Sequence, residues 1–289
     1  MKTRTLSVVV SSVFLAALLQ AQQPPEWTQP QKPVRIFGNT YYVGTRGLSA
    51  VLITSPTGAV LIDGAMPESA SDIANNITSL GVKLSDVKLI VNSHAHLDHA
   101  GGIAELQRRT GATVAALPWS ADVLKSGKKD RKDPQFETSM PPAAAVANVK
   151  TIRDGEVLRA GDVSITAHRT GGHTPGGTSW TWRSCEDKRC VDLVYADSVT
   201  PVSADSFRFT DNKTYPEGVA DFKKSHAFLR AASCDILITP HPEVSNLWGR
   251  IEKRDAGERD ALIDRTQCAG LAERGEAQLQ SRLEKERAK

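Results

Sequence analysis

Hydrophobic residues along this chain alternate between short strand-like runs and stretches with helical spacing. The strand-like runs are rich in Val, Ile, Leu and Tyr and are separated by turn residues. They lie at residues 40–43, 50–54, 59–62, 87–91, 113–117, 163–168, 179–183, 193–196 and 235–239. Helices are predicted at residues 69–80, 101–109, 217–231 and 256–283; in the first of these, Ile73, Ile77 and Leu80 share one helix face.

This order of elements predicts mixed sheets with helices on their outer faces, an α/β architecture. Nothing in the sequence marks a domain boundary, so we predict one domain over residues 22–289. Residues 127–145 show little periodicity and are dominated by Lys, Asp and Pro. Because a loop of this length without secondary structure is often functional, we interpret residues 127–145 as a lid.

The first twenty-one residues have the order of a secretory signal peptide. Lys2 and Arg4 form a basic start, an apolar run covers residues 6–19, and Ala21 ends the segment with a small side chain. The run is shorter than the roughly 20 apolar residues that span a bilayer. We therefore predict a cleaved signal peptide at residues 1–21, with an uncleaved anchor as the alternative. A cleaved chain would be periplasmic or secreted, without stable membrane association.

Composition narrows the function classes. The 289 residues are 40% hydrophobic and 24% charged, which is typical of a globular protein. The formal net charge is +3, and signal cleavage would remove two positive charges. A nearly neutral mature chain lacks the basic surface of a nucleic-acid-binding protein, so we expect no nucleic-acid partner.

The four cysteines agree with export, because an even number in a secreted chain favours disulfides. Cys185 and Cys190 flank a short polar stretch that resembles a hairpin tip, which leaves Cys234 and Cys268 as the second pair. Four free buried thiols are the alternative. No two of these cysteines have the CxxC spacing of a thiolate zinc site.

The strongest chemical signal is the segment His94-Ala95-His96-Leu97-Asp98-His99, directly after an apolar strand. Imidazole and carboxylate are the ligands that zinc accepts. His94 and His96 project to the same side of an extended segment, whereas Asp98 and His99 lie at the turn into a helix and can point elsewhere. One segment could thus supply ligands to two neighbouring ions.

Two further histidines follow predicted strands. His173 lies in the glycine-rich stretch at residues 171–177, where the absence of side chains lets the backbone pass close to an ion. His241 lies between Pro240 and Pro242, which fix the local backbone. Either alone would be interpreted as a surface histidine, but both follow a strand end as His94 does. We interpret His168 and His226 as structural or exposed rather than as ligands.

In this order the motifs resemble the metallo-β-lactamase superfamily. The resemblance extends over nearly all of the mature chain and rests on Leu61-Ile62-Asp63-Gly64, the HxHxDH segment at residues 94–99, Gly172-His173-Thr174-Pro175-Gly176, Ala196-Asp197-Ser198 and His241. It implies a four-layer αβ/βα sandwich of two mixed β-sheets. Asp63 is expected to orient a ligating histidine or the motif backbone, or else to form an Asx turn with Gly64.

The resemblance also implies the ligand sets of two zinc ions. It assigns one ion to His94, His96 and His173, and the other to Asp98, His99 and His241. Three protein ligands per ion leave an open position for water, which argues against a structural or storage site. The implied mechanism is attack of a hydroxide held between the zincs on an amide carbonyl, with Asp98 positioning the nucleophile.

The position after the strand at residues 193–196 separates members of the superfamily. Ser198 in the ligand register resembles the third β-lactamase subclass, which has serine there. A shift of one residue would instead make Asp197 a bridging ligand, as in thioesterases of the glyoxalase II kind. The signal peptide, and a match of Cys234 and Cys268 to a disulfide of that subclass, favour the β-lactamase. Lactonases and nucleases are the remaining relatives.

The resemblance therefore implies an enzyme that opens the ring of penicillins, cephalosporins and carbapenems and confers antibiotic resistance. Ser198 and Thr200 are candidates for binding the carboxylate that these substrates carry next to the ring nitrogen. Phe136 and Met140 in the lid are candidate apolar contacts, with packing of the loop onto the core as the alternative. The expected partner is the small-molecule substrate, and we expect a monomer.

Overall fold

Two sheets organise residues 23–288, the part of the chain that the computed structural model describes. The predicted signal peptide, residues 1–21, lies outside the described residues. The strands are β1 (Val34–Phe37), β2 (Thr40–Tyr42), β3 (Val51–Ser55), β4 (Gly58–Ile62), β5 (Val87–Val91), β6 (Thr113–Ala116), β7 (Val149–Thr151), β8 (Val157–Ala160), β9 (Val163–Arg169), β10 (Thr178–Glu186), β11 (Arg189–Tyr195) and β12 (Ile236–Ile238).

The first sheet contains β1 to β7 in chain order. Its pairs are antiparallel from β1 to β4 and parallel from β4 to β7. The second sheet has the order β12-β11-β10-β9-β8, with β11 and β12 parallel and the other pairs antiparallel. Both sheets are mixed, which confirms the predicted sheet type.

Most helices occupy the outer faces of the two sheets. The helices are α1 (Ala70–Ser79), α2 (Leu97–Ala100), α3 (Ile103–Thr110), α4 (Pro118–Ser126), α5 (Gly218–Ala231), α6 (Leu247–Asp255) and α7 (Gln267–Arg287). Of these, α6 contributes Leu247 and Ile251 to the core between the sheets. Buried residues of α1, α3 and α4 pack on one face of the first sheet. Leu229 of α5 and Leu271 of α7 pack on Val194 and Leu237 of the second sheet.

The central core lies between the sheets. Alternate strand residues point inward from both sides, as the two-residue period of a strand requires. Ile53 and Ile62 come from the first sheet, and Trp180, Leu193 and Ile238 come from the second, all almost fully buried. Helix, sheet, sheet and helix thus form the four-layer sandwich that the motifs implied.

The predicted final helix over residues 256–283 is wrong in its bounds. The structure has α6 before it, an irregular segment at residues 256–266, and α7 from Gln267 onward. Gly257 has a φ of 114°, which ends α6 because glycine adopts this conformation without strain. Arg250 donates hydrogen bonds to Leu237 O and Leu262 O and so holds the irregular segment against β12. The dense charges on both helices hid this break in the hydrophobic pattern.

Both predicted disulfides are present. Cys185 and Cys190 face each other across the β10–β11 hairpin, and the Cys234–Cys268 disulfide joins the segment before β12 to α7. The structure has no free cysteine among residues 23–288. Of the helices in that described part, none is both long and apolar enough to cross a membrane.

Candidate metal centre

The candidate ligands meet where strands of both sheets end. His94 and His96 follow β5, and α2 begins directly after them at Leu97. His173 lies in the loop between β9 and β10, and His241 follows β12. Since these strands all end on one side of the sandwich, residues up to 147 positions apart in sequence lie in one cluster.

Three histidines, His94, His96 and His173, form what we call the three-His triad. Their ligand nitrogens lie within 4.8 Å of one another. The ring centroids are 4.6 Å apart for His94 and His96, 4.8 Å for His94 and His173, and 5.2 Å for His96 and His173. The three rings are nearly perpendicular to one another, so their edges converge on a common point.

In each ring of the triad one nitrogen has a partner outside the cluster. His94 Nδ1 lies 2.7 Å from Asp197 Oδ1, His96 Nε2 lies 2.9 Å from Asp133 Oδ2, and His173 Nδ1 lies 3.1 Å from Thr200 O. Each oxygen accepts a hydrogen bond from the ring, which fixes the tautomer. The other nitrogen of each ring is left with a lone pair for a metal ion.

The ligand atoms of His94, Asp98 and His99 also lie within 4.8 Å of one another, and His241 adjoins this group through Asp98. We call Asp98, His99 and His241 the second triad. Asp98 Oδ2 lies 3.1 Å from His99 Nε2 and 3.4 Å from His241 Nε2. Ligands about 2.0–2.1 Å from a tetrahedral zinc ion are roughly 3.3–3.4 Å apart, so these separations suit atoms that share an ion. The His94 and His99 rings are 4.4 Å apart, which makes the two triads neighbours.

Burial sets the charge of these groups. It lowers the pKa of His94 well below its usual value and that of His173 to about 3, so both rings are neutral and able to bind a metal. Burial alone would raise the pKa of Asp98, but His99 and hydrogen bonds from His241 and His99 hold it well below its usual range. Asp98 is therefore an anionic carboxylate and a candidate ligand.

The donor set fits zinc. Five imidazoles and one carboxylate are ligands that zinc prefers, and no thiolate is nearby. The Nε2 atom of His94 is buried and has no hydrogen-bond partner among residues 23–288. An unpartnered buried nitrogen is costly unless it binds something, and a metal ion would satisfy it.

Asp63 supports the motif backbone rather than a ligand side chain. Its carboxylate accepts hydrogen bonds from Ser93 N at 2.7 Å, from Ser93 Oγ at 2.8 Å and from Tyr195 Oη at 2.7 Å. Asp63 is fully buried, and burial raises its pKa. These contacts fix the chain directly before His94, so of the roles considered from the sequence, Asp63 orients the motif backbone.

The loop that carries His173 is held from one side by α5. Arg169 donates two hydrogen bonds to Asp221, at 2.8 and 2.6 Å, and Tyr215 Oη donates a third at 2.8 Å. Gly172 has a φ of 125°, and a Cβ there would lie 2.5 Å from the Phe222 ring. The glycine is therefore required by packing on α5, in addition to the approach to an ion expected from the sequence.

Ser198 and Thr200 lie beside the three-His triad. Thr200 O is the partner of His173, and Val199 O accepts a hydrogen bond from His226 Nε2 at 3.0 Å. The backbone of residues 198–200 is thus fixed by two histidines. The hydroxyls of Ser198 and Thr200 have no hydrogen-bond partner within residues 23–288, and both residues are half-buried.

The two lid candidates have different surroundings. Met140 packs on the core and lines a small cavity with His96 and Leu97. Phe136 lines a separate groove with Phe207, and the Arg131 guanidinium lies 5.8 Å from its ring centroid. None of the six candidate ligands lines that groove, so only Met140 shares a cavity with one of them.

Three residues that contact the triads were not predicted from the sequence: Asp133, Gln135 and Trp27. Asp133 and Gln135 belong to the lid, and the Gln135 side-chain nitrogen lies 3.3 Å from His173 Nε2. Trp27 stacks at an angle on His241 with centroids 5.4 Å apart. Asp197, the bridging ligand of the alternative assignment, belongs to neither group of converging ligand atoms and contacts His94. An acidic residue inside a polar loop was the only signal for Asp133.

A family model for the metallo-beta-lactamase superfamily matches residues 43–226, which include five of the six candidate ligands. The match covers more than half of the chain. The protein belongs to the metallo-beta-lactamase superfamily.

Solved structures show which subclass of the superfamily this chain is similar to. MEM-A1, a subclass B3 metallo-beta-lactamase from a soil metagenome library, is 50% identical with a TM-score of 0.88, covering 91% of this chain and 99% of that one. SMB-1, a metallo-beta-lactamase solved with mercaptoacetic acid, is 45% identical with a TM-score of 0.85, covering 90% and 99%. MIM-1 from Novosphingobium pentaromativorans is 39% identical, with a TM-score of 0.83 and coverages of 91% and 93%. Within the superfamily, the chain groups with subclass B3.

Curated relatives are more distant. A hydroxyacylglutathione hydrolase of Bradyrhizobium sp. is 29% identical over 146 residues, which are 50% of this chain and 47% of the relative. An N-acyl homoserine lactonase of Agrobacterium fabrum is 28% identical over 172 residues, covering 50% of this chain and 64% of the relative. The chain thus spans about half to two thirds of the length of these relatives.

Proposed function

We propose that this protein is a zinc-dependent β-lactamase that hydrolyses the amide bond of the β-lactam ring. The observation that carries the proposal is the pair of adjoining triads, in which each ring of the first has one nitrogen anchored by an oxygen outside the cluster. The likeness to MEM-A1, a subclass B3 enzyme, over 99% of its length supports the substrate class.

The convergence of these donor atoms supports an assignment of ligands to two zinc ions. His94, His96 and His173 would hold one zinc ion, and Asp98, His99 and His241 would hold a second. Zinc, when bound, supplies a Lewis acid and lowers the pKa of a coordinated water towards neutrality. Asp98 contributes the one carboxylate of the six ligands, and its charge orients polar groups that enter between the triads.

In this proposal, residues 198–200 bind the substrate. Two hydroxyls without protein partners project from a backbone that His173 and His226 hold in place. Such a preorganised pair of donors suits the carboxylate next to the ring nitrogen of a β-lactam. Met140 is an apolar contact candidate at the cavity beside His96, and Phe136 remains a candidate only if the lid moves.

A thioesterase of the glyoxalase II kind is the main alternative, since Asp197 would bridge the metals in that class. Asp197 Oδ1 lies 2.7 Å from His94 Nδ1 and is outside both groups of ligand atoms. With Oδ1 paired to His94, Asp197 has one oxygen, Oδ2, without a partner among residues 23–288, and the residue belongs to neither group of converging ligand atoms. This contact favours the β-lactamase.

The test compares substrates on one purified protein with added zinc. We expect hydrolysis of a penicillin, a cephalosporin or a carbapenem, loss of activity with a chelator, recovery with zinc, and no effect of serine-directed inhibitors. Hydrolysis of a thioester or a lactone without any β-lactam hydrolysis would refute the proposal. A monomeric state and a periplasmic or secreted location remain predictions.

A further inference from the structure

Two side chains of the lid, residues 127–145, contact candidate metal ligands: Gln135 lies 3.3 Å from His173, and Asp133 makes the shorter contact, to His96. Asp133 is 7% exposed, and its Oδ2 lies 2.9 Å from His96 Nε2. Its other carboxylate oxygen accepts a hydrogen bond from Gln135 N at 2.8 Å. The side chain therefore links the lid backbone to the three-His triad.

This contact determines which nitrogen of His96 can bind a metal. An ionised carboxylate only accepts hydrogen bonds, so His96 Nε2 must carry the proton and Nδ1 must carry the lone pair. His94 and His173 are held in the same way by Asp197 and by Thr200 O. Among these three anchors, only Asp133 comes from the lid.

The lid is organised around Asp133 as one unit. Lys129 Nζ donates hydrogen bonds to Phe136 O at 3.0 Å and to Thr138 O at 2.6 Å. On its far side, Ala204 N donates to Pro134 O at 2.9 Å. A displacement of Asp133 would therefore move the surrounding lid residues with it.

We propose that Asp133 is a positioning residue that fastens the lid to His96, so that metal binding and lid order are coupled. The proposal rests on the metal-binding function proposed above but not on the identity of the substrate. Coupling is reciprocal: if the attached lid tightens zinc binding by some factor, bound zinc stabilises the attached lid by the same factor. Removing an outer partner of a ligating histidine weakens metal affinity by roughly 10- to 100-fold.

Asp133→Asn is the direct test. The amide oxygen can still accept from Gln135 N, but its nitrogen then faces His96 Nε2. Two donors cannot pair, so either the contact is lost or the ring takes the other tautomer, which cannot bind zinc through Nδ1. Asp130→Asn is the matched control, because Asp130 accepts a hydrogen bond from Lys132 N at 2.8 Å in the same way but has no bond to His96.

The first measurement is zinc affinity, by competition with a chromophoric chelator on the whole protein. We expect at least one binding step of Asp133→Asn to weaken about 10- to 100-fold, and Asp130→Asn to stay within about twofold of the parent. Equal affinities for the two variants would overturn the proposal. Because no substrate is used, the result is independent of whether the parent hydrolyses β-lactams.

The second measurement is hydrogen exchange of lid peptides with and without zinc. In the parent and in Asp130→Asn, zinc should slow exchange in residues 133–138 by about the same 10- to 100-fold. In Asp133→Asn this zinc-dependent protection should disappear. A purely structural role would lower protection equally with and without zinc, and that outcome would refute the coupling. If Asp133→Asn does not fold, Asp133→Ser serves instead, since its hydroxyl can accept from Gln135 N but cannot reach His96.

Discussion

The role of Ser198 and Thr200 can be tested from both the protein and the substrate. Replacing both with Ala removes two hydroxyls that have no protein partner among residues 23–288, so no internal hydrogen bond is lost. The contact of His173 with residue 200 uses the backbone carbonyl, which the substitution keeps. We therefore expect unchanged zinc content and folding, and a specific loss of substrate binding.

The magnitude follows from the two hydrogen bonds. A hydrogen bond to a charged group contributes about 1.5–3 kcal/mol. Both residues are half-buried, so water can replace the lost donors, and the low end of this range applies. Two such bonds give about 3 kcal/mol, an upper limit of roughly 100-fold. Since the carboxylate is bound equally in the ground state and the transition state, KM should rise about 10- to 100-fold and kcat should change little.

The assay compares a β-lactam with its carboxylate methyl ester. The KM of the parent for the ester should be raised about as much as the KM of the double variant for the acid. The double variant should have similar KM values for the acid and the ester. Ser203→Ala is the control, because the Ser203 hydroxyl is already bonded to Ala204 O and Arg282. A double variant that keeps its KM within twofold, or that still prefers the acid, would refute this role.

Four further outcomes are expected. Asp98→Asn should fold normally but lose turnover by roughly 100-fold; near-normal turnover with two bound zinc ions would contradict its role. Asp197→Asn should weaken one zinc ion through His94, whereas loss of both ions, measured by metal analysis, would indicate a bridging ligand. Tyr215→Phe should lower the free energy of unfolding of metal-free protein by about 1.5–3 kcal/mol, measured in denaturant; no change would show that the bond to Asp221 is not stabilising. Removing the Cys234–Cys268 disulfide, whose cysteines are 34 residues apart, should lower the free energy of unfolding by about 4 kcal/mol. Removing Cys185–Cys190, whose cysteines are five residues apart, should lower it by about 2 kcal/mol. Equal losses would contradict the dependence on loop length.

Local patterns were sufficient for much of the fold. The buried strand β5 has the predicted bounds of Val87 and Val91, and α1 differs from its prediction by one residue at each end. These elements have a strong hydrophobic period of their own. The strands β1, β7 and β8 were missed because each has only three or four residues and depends on pairing with a neighbour.

The candidate ligands could be predicted from the sequence, whereas the residues that anchor their rings could not. The six candidate ligands lie in short motifs after strands, so their residue types and spacing were enough to select them, and the structure brings them into one cluster. The residues that anchor the rings lie far from them in sequence. His94 and Asp197 are 103 positions apart, and His96 and Asp133 are 37 positions apart. No local pattern encodes such contacts, because they depend on how the lid and the two sheets come together.

The anchors also suggest why one ligand motif can serve different substrates. Thr200 belongs to the segment proposed to bind substrate, and Asp133 belongs to the lid, so two of the three anchored imidazoles are held by parts of the chain that meet the substrate. A change in either segment would alter the metal site as well as the substrate contacts. The distant relatives, a hydroxyacylglutathione hydrolase and an N-acyl homoserine lactonase, are only 28–29% identical over half of this chain. If the proposed roles of Asp133 and Thr200 hold, a substitution in either segment changes zinc affinity and substrate preference together, and measuring both quantities on the same variants tests this link.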